Sequence, residues 1–169
     1  MAKREFKVTN NINIEGARLI FKNFKGEKKQ WNAKGDRNFG VLIDHELAQE
    51  LEEDGWNVRY LKPSEEEDEP QPWLKVKVKF GDYPPIVNFI TSKGRRRLDE
   101  DTVEMLDYTP YKNVDLVIRP YNYPATEDRP AGVAAYLKSI YFTVFEDDFE
   151  KKYADVPYLD GEDDEDEED

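Results

Sequence analysis

Apolar and polar positions alternate with a period of two along much of this chain, most clearly from Trp73 to Phe80 (WLKVKVKF). That period puts Leu74, Val76, Val78 and Phe80 on one face of a strand and Trp73, Lys75, Lys77 and Lys79 on the other. Ile86 to Thr91 (IVNFIT) follows Pro84-Pro85 and is predicted to be its hairpin partner. Further strands are predicted at Ala17 to Phe24, Asn38 to Ile43, Trp56 to Leu61, Asn113 to Arg119 and Ala134 to Phe145. A polar loop around Thr126 to Gly132 joins the last two. Helical signals are short. Asp44 suits the N-cap of a helix through Glu53, with Leu47 and Leu51 at i,i+4 facing inward and Gly55 ending it. A second helix is predicted from Glu100 to Leu106, capped by Asp99. Trp56, Phe80, Phe89, Phe142 and Phe145 stand in apolar runs and are assigned to the core.

Six or seven irregularly spaced strands with two short helices predict a mainly β fold, either a partly closed antiparallel barrel or a sandwich. Among small barrels the OB-fold is the usual home of single-stranded nucleic-acid binding, although strand count alone leaves an immunoglobulin-like sandwich open. A length of 169 residues makes one domain, expected to run from residue 1 to 159. No run approaches the roughly 18 apolar residues of a membrane helix. The charged start Met-Ala-Lys-Arg-Glu has no apolar stretch after it, so no secretory signal is expected. Cysteine is absent, which excludes disulfides, thiolate zinc sites and a cysteine nucleophile, and suits a reducing cytoplasm.

The net charge of −13 changes the picture only until its distribution is read. Asp160 to Asp169 holds nine acids in ten residues, and Glu65 to Glu69 holds five in five. The 24 acids outside those runs face 25 Lys and Arg. Met1 to Gly40 carries ten bases against four acids, and Pro72 to Arg97 seven against one. Acid is thus stored in a loop, from Pro63 to Pro72 and expected to be mobile, and in a tail expected to be disordered from Asp160 onward. The remainder presents a basic working surface.

On that surface Lys75, Lys77 and Lys79 recur at about 7 Å, close to the phosphate spacing of an extended strand. Alternating lysines also protect exposed sheet edges, and the pattern alone leaves both readings open. Arg95, Arg96 and Arg97 are expected in a Gly-initiated turn, where three adjacent like charges call for an anion. Of the 22 aromatic residues, several stand beside bases or turns. Trp31 follows Lys28-Lys29, Phe39 follows Arg37, Tyr83 precedes two prolines, and Tyr121 and Tyr123 follow Arg119. Trp31, Trp73, Tyr121 and Tyr123 have polar neighbours and are candidates for stacking on unpaired bases, with Arg37 and the lysines neutralising phosphate. A tethered polyanion would compete with DNA for such a site.

Enzymatic readings find little support. The single histidine, His45, has no Cys or second His to join in a metal or triad site. Acid pairs such as Asp147-Asp148 or Asp99 with Asp101 suggest a Mg²⁺ nuclease only weakly, since adjacent carboxylates abound here and no phosphate-cradling Gly-rich loop accompanies them. No cofactor, metal or catalytic residue is assigned. The rival reading is an acidic interaction module or DNA mimic directed at a host nuclease or polymerase. A mimic would spread carboxylates over its folded surface, whereas these concentrate in two runs.

The stretches RNFGVLID, GWNVRYL, NVDLVIRPYNY and GVAAYLKSIYFTVFEDDF, ended by an acidic tail, resemble the single-stranded DNA-binding proteins of tailed bacteriophages. The resemblance spans about Gly16 to Tyr153. It implies a partly closed antiparallel OB-fold barrel with two short helices and a disordered acidic C-terminal tail. It further implies sequence-tolerant binding of single-stranded DNA during phage replication, recombination and repair in the bacterial host cytoplasm. Replication or recombination proteins are the partners expected at the tail, a homodimer is compatible, and no membrane is expected. Arg119, Tyr121 and Tyr123 of RPYNY, with Tyr136 and Lys138 of AYLKSIY, are the contacts it suggests. One departure stands out: several relatives end the tail in an aromatic residue that docks into partners, whereas this chain ends Glu-Glu-Asp.

Overall fold

The computed structural model describes residues 5–63, 65 and 69–159. The acidic tail from Asp160 and most of the Glu65–Glu69 run lie outside them. Among the described residues nine strands form one open sheet. They are β1 (Ile12–Ile14), β2 (Leu19–Asn23), β3 (Arg37–Leu42), β4 (Val58–Leu61), β5 (Gln71–Val78), β6 (Ile86–Thr91), β7 (Gly94–Leu98), β8 (Tyr111–Tyr123) and β9 (Gly132–Val144). The main path runs β1-β8-β9-β5-β3-β2, with β4 on β5 and the β6–β7 hairpin on β9.

The frame is the long β8–β9 hairpin, paired antiparallel from Tyr111↔Val144 to Tyr123↔Gly132. Each strand has 13 residues, well beyond the five or six of an average strand. Such length lets the far side of β9 serve two partners. Ala135 and Tyr136 pair in parallel with Val76 and Lys77 of β5, while Ser139 to Thr143 pair in parallel with Ile86 to Ile90 of β6. The fold is therefore mainly β and OB-fold-like as expected, but two of its pairings are parallel. The sheet does not close, because β1 pairs only with β8 and β2 only with β3 among the described residues.

Helix α1 (His45–Glu53) forms where the sequence predicts it. The Asp44 carboxylate accepts the Leu47 N–H at 2.7 Å, Ala48 and Leu51 are buried, and Gly55 follows at φ +95°, a left-handed conformation that favours glycine. A short helix α2 (Asp148–Lys152) was not predicted. Asp147 caps it through a capping box with Glu150, so the acid pair Asp147-Asp148 is a helix start. Among the described residues no group of three His, Cys, Asp or Glu is arranged to hold a metal.

Four expectations are corrected. Ile86–Thr91 is not the hairpin partner of Trp73–Phe80: both sides of β5 are already occupied by β3, β4 and β9, so β6 pairs with β7 and β9 instead. Arg95 to Arg97 lie in strand β7, and the turn before them is Ser92-Lys93, closed at Gly94. The helix predicted from Glu100 is a 3-10 turn over Val103–Asp107. There the Asp99 carboxylate accepts the Asp101 and Thr102 N–H groups, an Asx-type turn that competes with a regular α-helical start. Phe145 is 55 % exposed, because β9 ends at Val144 before reaching it.

The core is continuous. Phe39 and Val41 of β3, Leu74, Val76 and Val78 of β5, Leu116 and Ile118 of β8, and Leu137, Ile140 and Phe142 of β9 are all buried with the α1 residues. Phe142, fully buried, stacks on Phe89 at 6.2 Å and meets the Tyr111 ring edge-on at 5.4 Å. Phe142→Ala is expected to lower unfolding free energy by about 3–5 kcal/mol, read as a lower denaturant midpoint at unchanged slope. A loss below roughly 1 kcal/mol would mean that the β6–β9 packing is not the centre of the core.

Candidate nucleic-acid interface

Strand β5 decides what the outer face of the sheet carries. β3 pairs along nearly all of one side, while β4 and then β9 pair along the other, so β5 is interior. Its alternation is as predicted as far as Val78: Leu74, Val76 and Val78 are buried, and Trp73, Lys75 and Lys77 point outward. The strand ends there, so Lys79 and Phe80 lie beyond it, and the half-buried Phe80 lines the groove. Lysines in an interior strand protect no edge, which removes that explanation for Lys75 and Lys77.

The neighbouring strands add side chains to the same face. β4 supplies Arg59, β8 supplies Arg119, Tyr121 and Tyr123, and β9 supplies Tyr136 and Lys138. Three adjoining depressions run across this face. The first, about 360 Å³, is lined by Trp31, Arg37, Lys75, Lys77, Lys79, Phe80 and Tyr136, together with the acids Asp36 and Glu100. The second, about 380 Å³, lies between Phe21, Trp31, Trp73, Arg59 and Lys75. The third, about 390 Å³, holds Asn57, Arg59, Lys75, Lys77, Tyr121, Tyr123, Arg129 and Tyr136. Shared walls at Lys75, Lys77, Arg59, Trp31 and Tyr136 make them one groove.

Within the groove, cations and rings come in pairs. The Arg59 guanidinium lies 5.7 Å from the Trp73 ring, Arg119 4.9 Å and Lys77 5.9 Å from Tyr136, and Arg129 4.2 Å from Tyr123. At these distances a ring face attracts the cation without consuming its hydrogen-bond donors. Tyr121 and Tyr136 are tilted neighbours at 5.5 Å. The Tyr123 hydroxyl donates to Asn57 Oδ1 at 2.9 Å, holding its ring against the loop after α1. Arg37 stacks over Phe80 at 5.6 Å and makes a 3.5 Å ion pair with Glu100. Burial lowers the Lys75 pKa from its ordinary 10.5. Repulsion from Arg59 and then Lys77 adds to this, while Asp36 opposes it.

Of the sequence candidates, Trp31, Arg37, Trp73, Lys75, Lys77, Lys79, Tyr121, Tyr123 and Tyr136 all line the groove. Arg119 and Lys138 line a shallow depression beside Tyr83 and Ile86, next to Tyr136. Arg95, Arg96 and Arg97 line none of the three groove depressions. Their strand β7 pairs only with β6 among the described residues, so it is a sheet edge, and Arg96 spreads over Phe89 and Met105. Phe39 is fully buried. Sequence reasoning missed Arg59, Arg129 and Phe21. Arg59 occupies an outward position of WNVRYL and was open to the alternation argument, whereas Arg129 lies in an irregular loop that carries no periodic signal. Phe21 reaches the groove through a bulge between Ile20 and Asn23, at φ +51°.

A family model described as "Putative phage ssDNA-binding domain" matches residues 1–169. A search of curated proteins finds no match. Among solved structures, the chain is similar to the single-stranded DNA-binding protein of bacteriophage Enc34 in complex with ssDNA, with a TM-score of 0.53 and 14% identity over 86% of this chain and 98% of that one. A C-terminal truncation of the Enc34 protein gives a TM-score of 0.52 and 14% identity over 87% of this chain and 98% of that one. At such identity these likenesses establish the fold.

Lys75 makes the groove's electrostatics measurable. Because its folded pKa lies below 10.5, the unfolded chain binds more protons in the window between the depressed value and 10.5. Stability therefore rises with pH across that window as the repelled ammonium is neutralised. Affinity for any anion in the groove falls over the same window. Lys75→Arg, which keeps its charge, is expected to flatten both trends in parallel titrations of thermal stability and oligonucleotide affinity. Identical alkaline profiles in the two proteins would remove Lys75 from the groove's charge balance.

Proposed function

This chain belongs to the phage single-stranded-DNA-binding family, and on that premise we propose that it binds single-stranded DNA across the outer face of β3, β5, β8 and β9. The observation that carries the reading is the interleaving of cations and aromatic rings along one groove built on an interior strand. Phosphates are met by Lys75, Lys77, Lys79, Arg37, Arg59 and Arg129. Bases stack on Trp31, Trp73, Tyr121, Tyr123 and Tyr136, with Arg119 and Lys138 extending the track. Stacking surfaces accept any base, so binding is sequence-tolerant, and duplex, whose bases already stack on each other, binds far more weakly. The chain acts as a non-enzymatic binding protein that protects single strands during phage DNA replication, recombination and repair in the host cytoplasm. No helix among the described residues is long and apolar enough to cross a membrane.

The acidic tail fits this reading as a competitor. A polyanion on the same chain as a cationic groove acts at an effective concentration of about millimolar, competes with DNA for that groove, and becomes available to replication or recombination proteins when DNA displaces it.

Electrostatic binding fixes the salt dependence. Neutralising about four to six phosphates gives log K against log salt a slope of about −3 to −4 with oligothymidine. Replacing Lys75, Lys77 and Lys79 together by Ala is expected to weaken binding to all sequences and to flatten the slope by about two. Folding stability should be retained, since none of the three faces the core. A slope near zero in the parent protein would refute the groove as a phosphate track. Unchanged affinity in the triple variant would move the track towards Arg119 and Lys138.

Truncation after Leu159 removes nine negative charges and no apolar side chain. Binding should tighten, most at low salt, with the gain shrinking as salt screens the competing attraction. Weaker binding by the truncated chain at low salt would contradict competition, because no electrostatic attraction lets a polyanion strengthen contact with another polyanion.

A further inference from the structure

One corner of the groove is built differently from the rest. Phe21, Trp31 and Trp73 wall the second depression, and it depends on two local features that serve no purpose in the core. The first is Gly40. It occupies an outward position of β3, paired with Ile20 on one side and Lys75 on the other. A Cβ there would stand 2.7 Å from Trp73 Cε3 and 2.7 Å from Ile20 Cγ1, so the indole occupies the space that a side chain would take. The second is Phe21. Its φ of +51° is rare for a bulky residue and is sustained by the β2 bulge, which leaves the ring 62 % exposed and set edge-on to Trp73 at 5.3 Å. A strained backbone that puts an apolar ring into solvent works against stability, and strain of that kind gathers at ligand clamps. Trp31, 86 % exposed on the loop between β2 and β3, faces the same space.

We infer that Phe21, Trp31 and Trp73 form a slot that captures a single nucleobase turned out of the strand's path, and that Gly40 is the positioning residue that keeps the slot open. The inference rests on the single-stranded DNA reading and deepens it. Along Lys75, Lys77 and Lys79 the groove is built for phosphate, whereas the slot is lined by three aromatic rings, with Arg59 and Lys75 also lining it and able to meet the flanking phosphates. A side chain at position 40 lifts the Trp73 indole and fills the slot. Glycine at position 21 removes a wall while fitting the φ of +51° without strain.

Gly40→Ala and Phe21→Gly are compared with the parent protein in binding to oligothymidine and to an abasic deoxyribose-phosphate strand of equal length. Both variants are expected to lose about fivefold or more in affinity for oligothymidine, the scale of one stacked base. Neither should change affinity for the abasic strand, which offers phosphate without bases. Phe21→Gly should keep the parent's thermal stability while losing DNA affinity, a separation that damage to the fold does not produce. It carries the test on its own if Gly40→Ala fails to fold. Equal losses on both strands, or no loss on either, would overturn the slot and leave the phosphate track standing. A parent protein that binds neither strand would overturn the single-stranded DNA reading itself.

Discussion

The interior position of β5 is the constraint on which the rest of this molecule depends. A strand hydrogen-bonded on both sides cannot twist away or slip by one residue without reversing which face meets the core. Leu74, Val76 and Val78 are held inward by the packing of β3, β8 and β9, so Trp73, Lys75 and Lys77 are held outward with the same rigidity. Core packing on one face thereby sets the spacing of charge on the other. Holding those cations together works against the free protein, as the lowered Lys75 pKa records: its ammonium is partly stripped of water and stands near Arg59 and Lys77. The surrounding rings take up part of that unfavourable field. Trp73, Tyr123 and Tyr136 each have a neighbouring cation over the ring, and among the described residues no carboxylate forms an ion pair with those cations.

Similar sequence patterns have opposite meanings at two places in this sheet. Lys75-x-Lys77-x-Lys79 and Arg95-Arg96-Arg97 are both runs of cations within strands or at their ends, and each admits both a binding and an edge-protecting explanation. Topology separates them. The lysine run starts in an interior strand, where protection against edge-to-edge pairing has no object. The arginines sit on β7, the edge of the β6–β7 hairpin, where charge discourages another strand from adding on. Arg96 also covers the Phe89 ring and meets Met105 Sδ at 3.5 Å, shielding the apolar end of the core.

Much of the fold was legible because it follows from local rules. Alternation gave β5 and its two faces, and the capping carboxylate of Asp44 with Gly55 gave α1 within a residue at each end. In the candidate groove, alternation made Trp73, Lys75 and Lys77 legible. Tyr121 and Tyr123 stood out only by their polar neighbours, because the predicted strand stopped at Arg119 whereas β8 runs on to Tyr123, and Tyr136 came from the family resemblance alone. Long-range pairing was not legible. Nothing in Ile86–Thr91 reveals that β9, rather than β5, is its partner, because that choice depends on which edges remain vacant once β3, β4 and β9 have docked. Short elements were lost for a related reason. Ile12–Ile14 is too brief to show a period, and α2 rests on a capping box inside a run of acids that reads equally well as solvated charge.

Phe21 marks where local rules fail most instructively. Read by alternation, ARLIFKNF has no special position, and hydrophobicity would assign Phe21 to the core as it does the buried Phe24. The register break between Ile20 and Asn23 instead turns the ring to solvent on a left-handed backbone. Departures from local consistency of this kind are expected where a binding surface outweighs folding preference. The same stretch of β2 and β3 contains Gly40, a residue poorly suited to a strand interior, beneath an indole that needs the space. Each residue is individually unfavourable for a β-sheet, yet together they shape a single depression. Packing of the core alone would have favoured a regular β2 and a side chain at position 40.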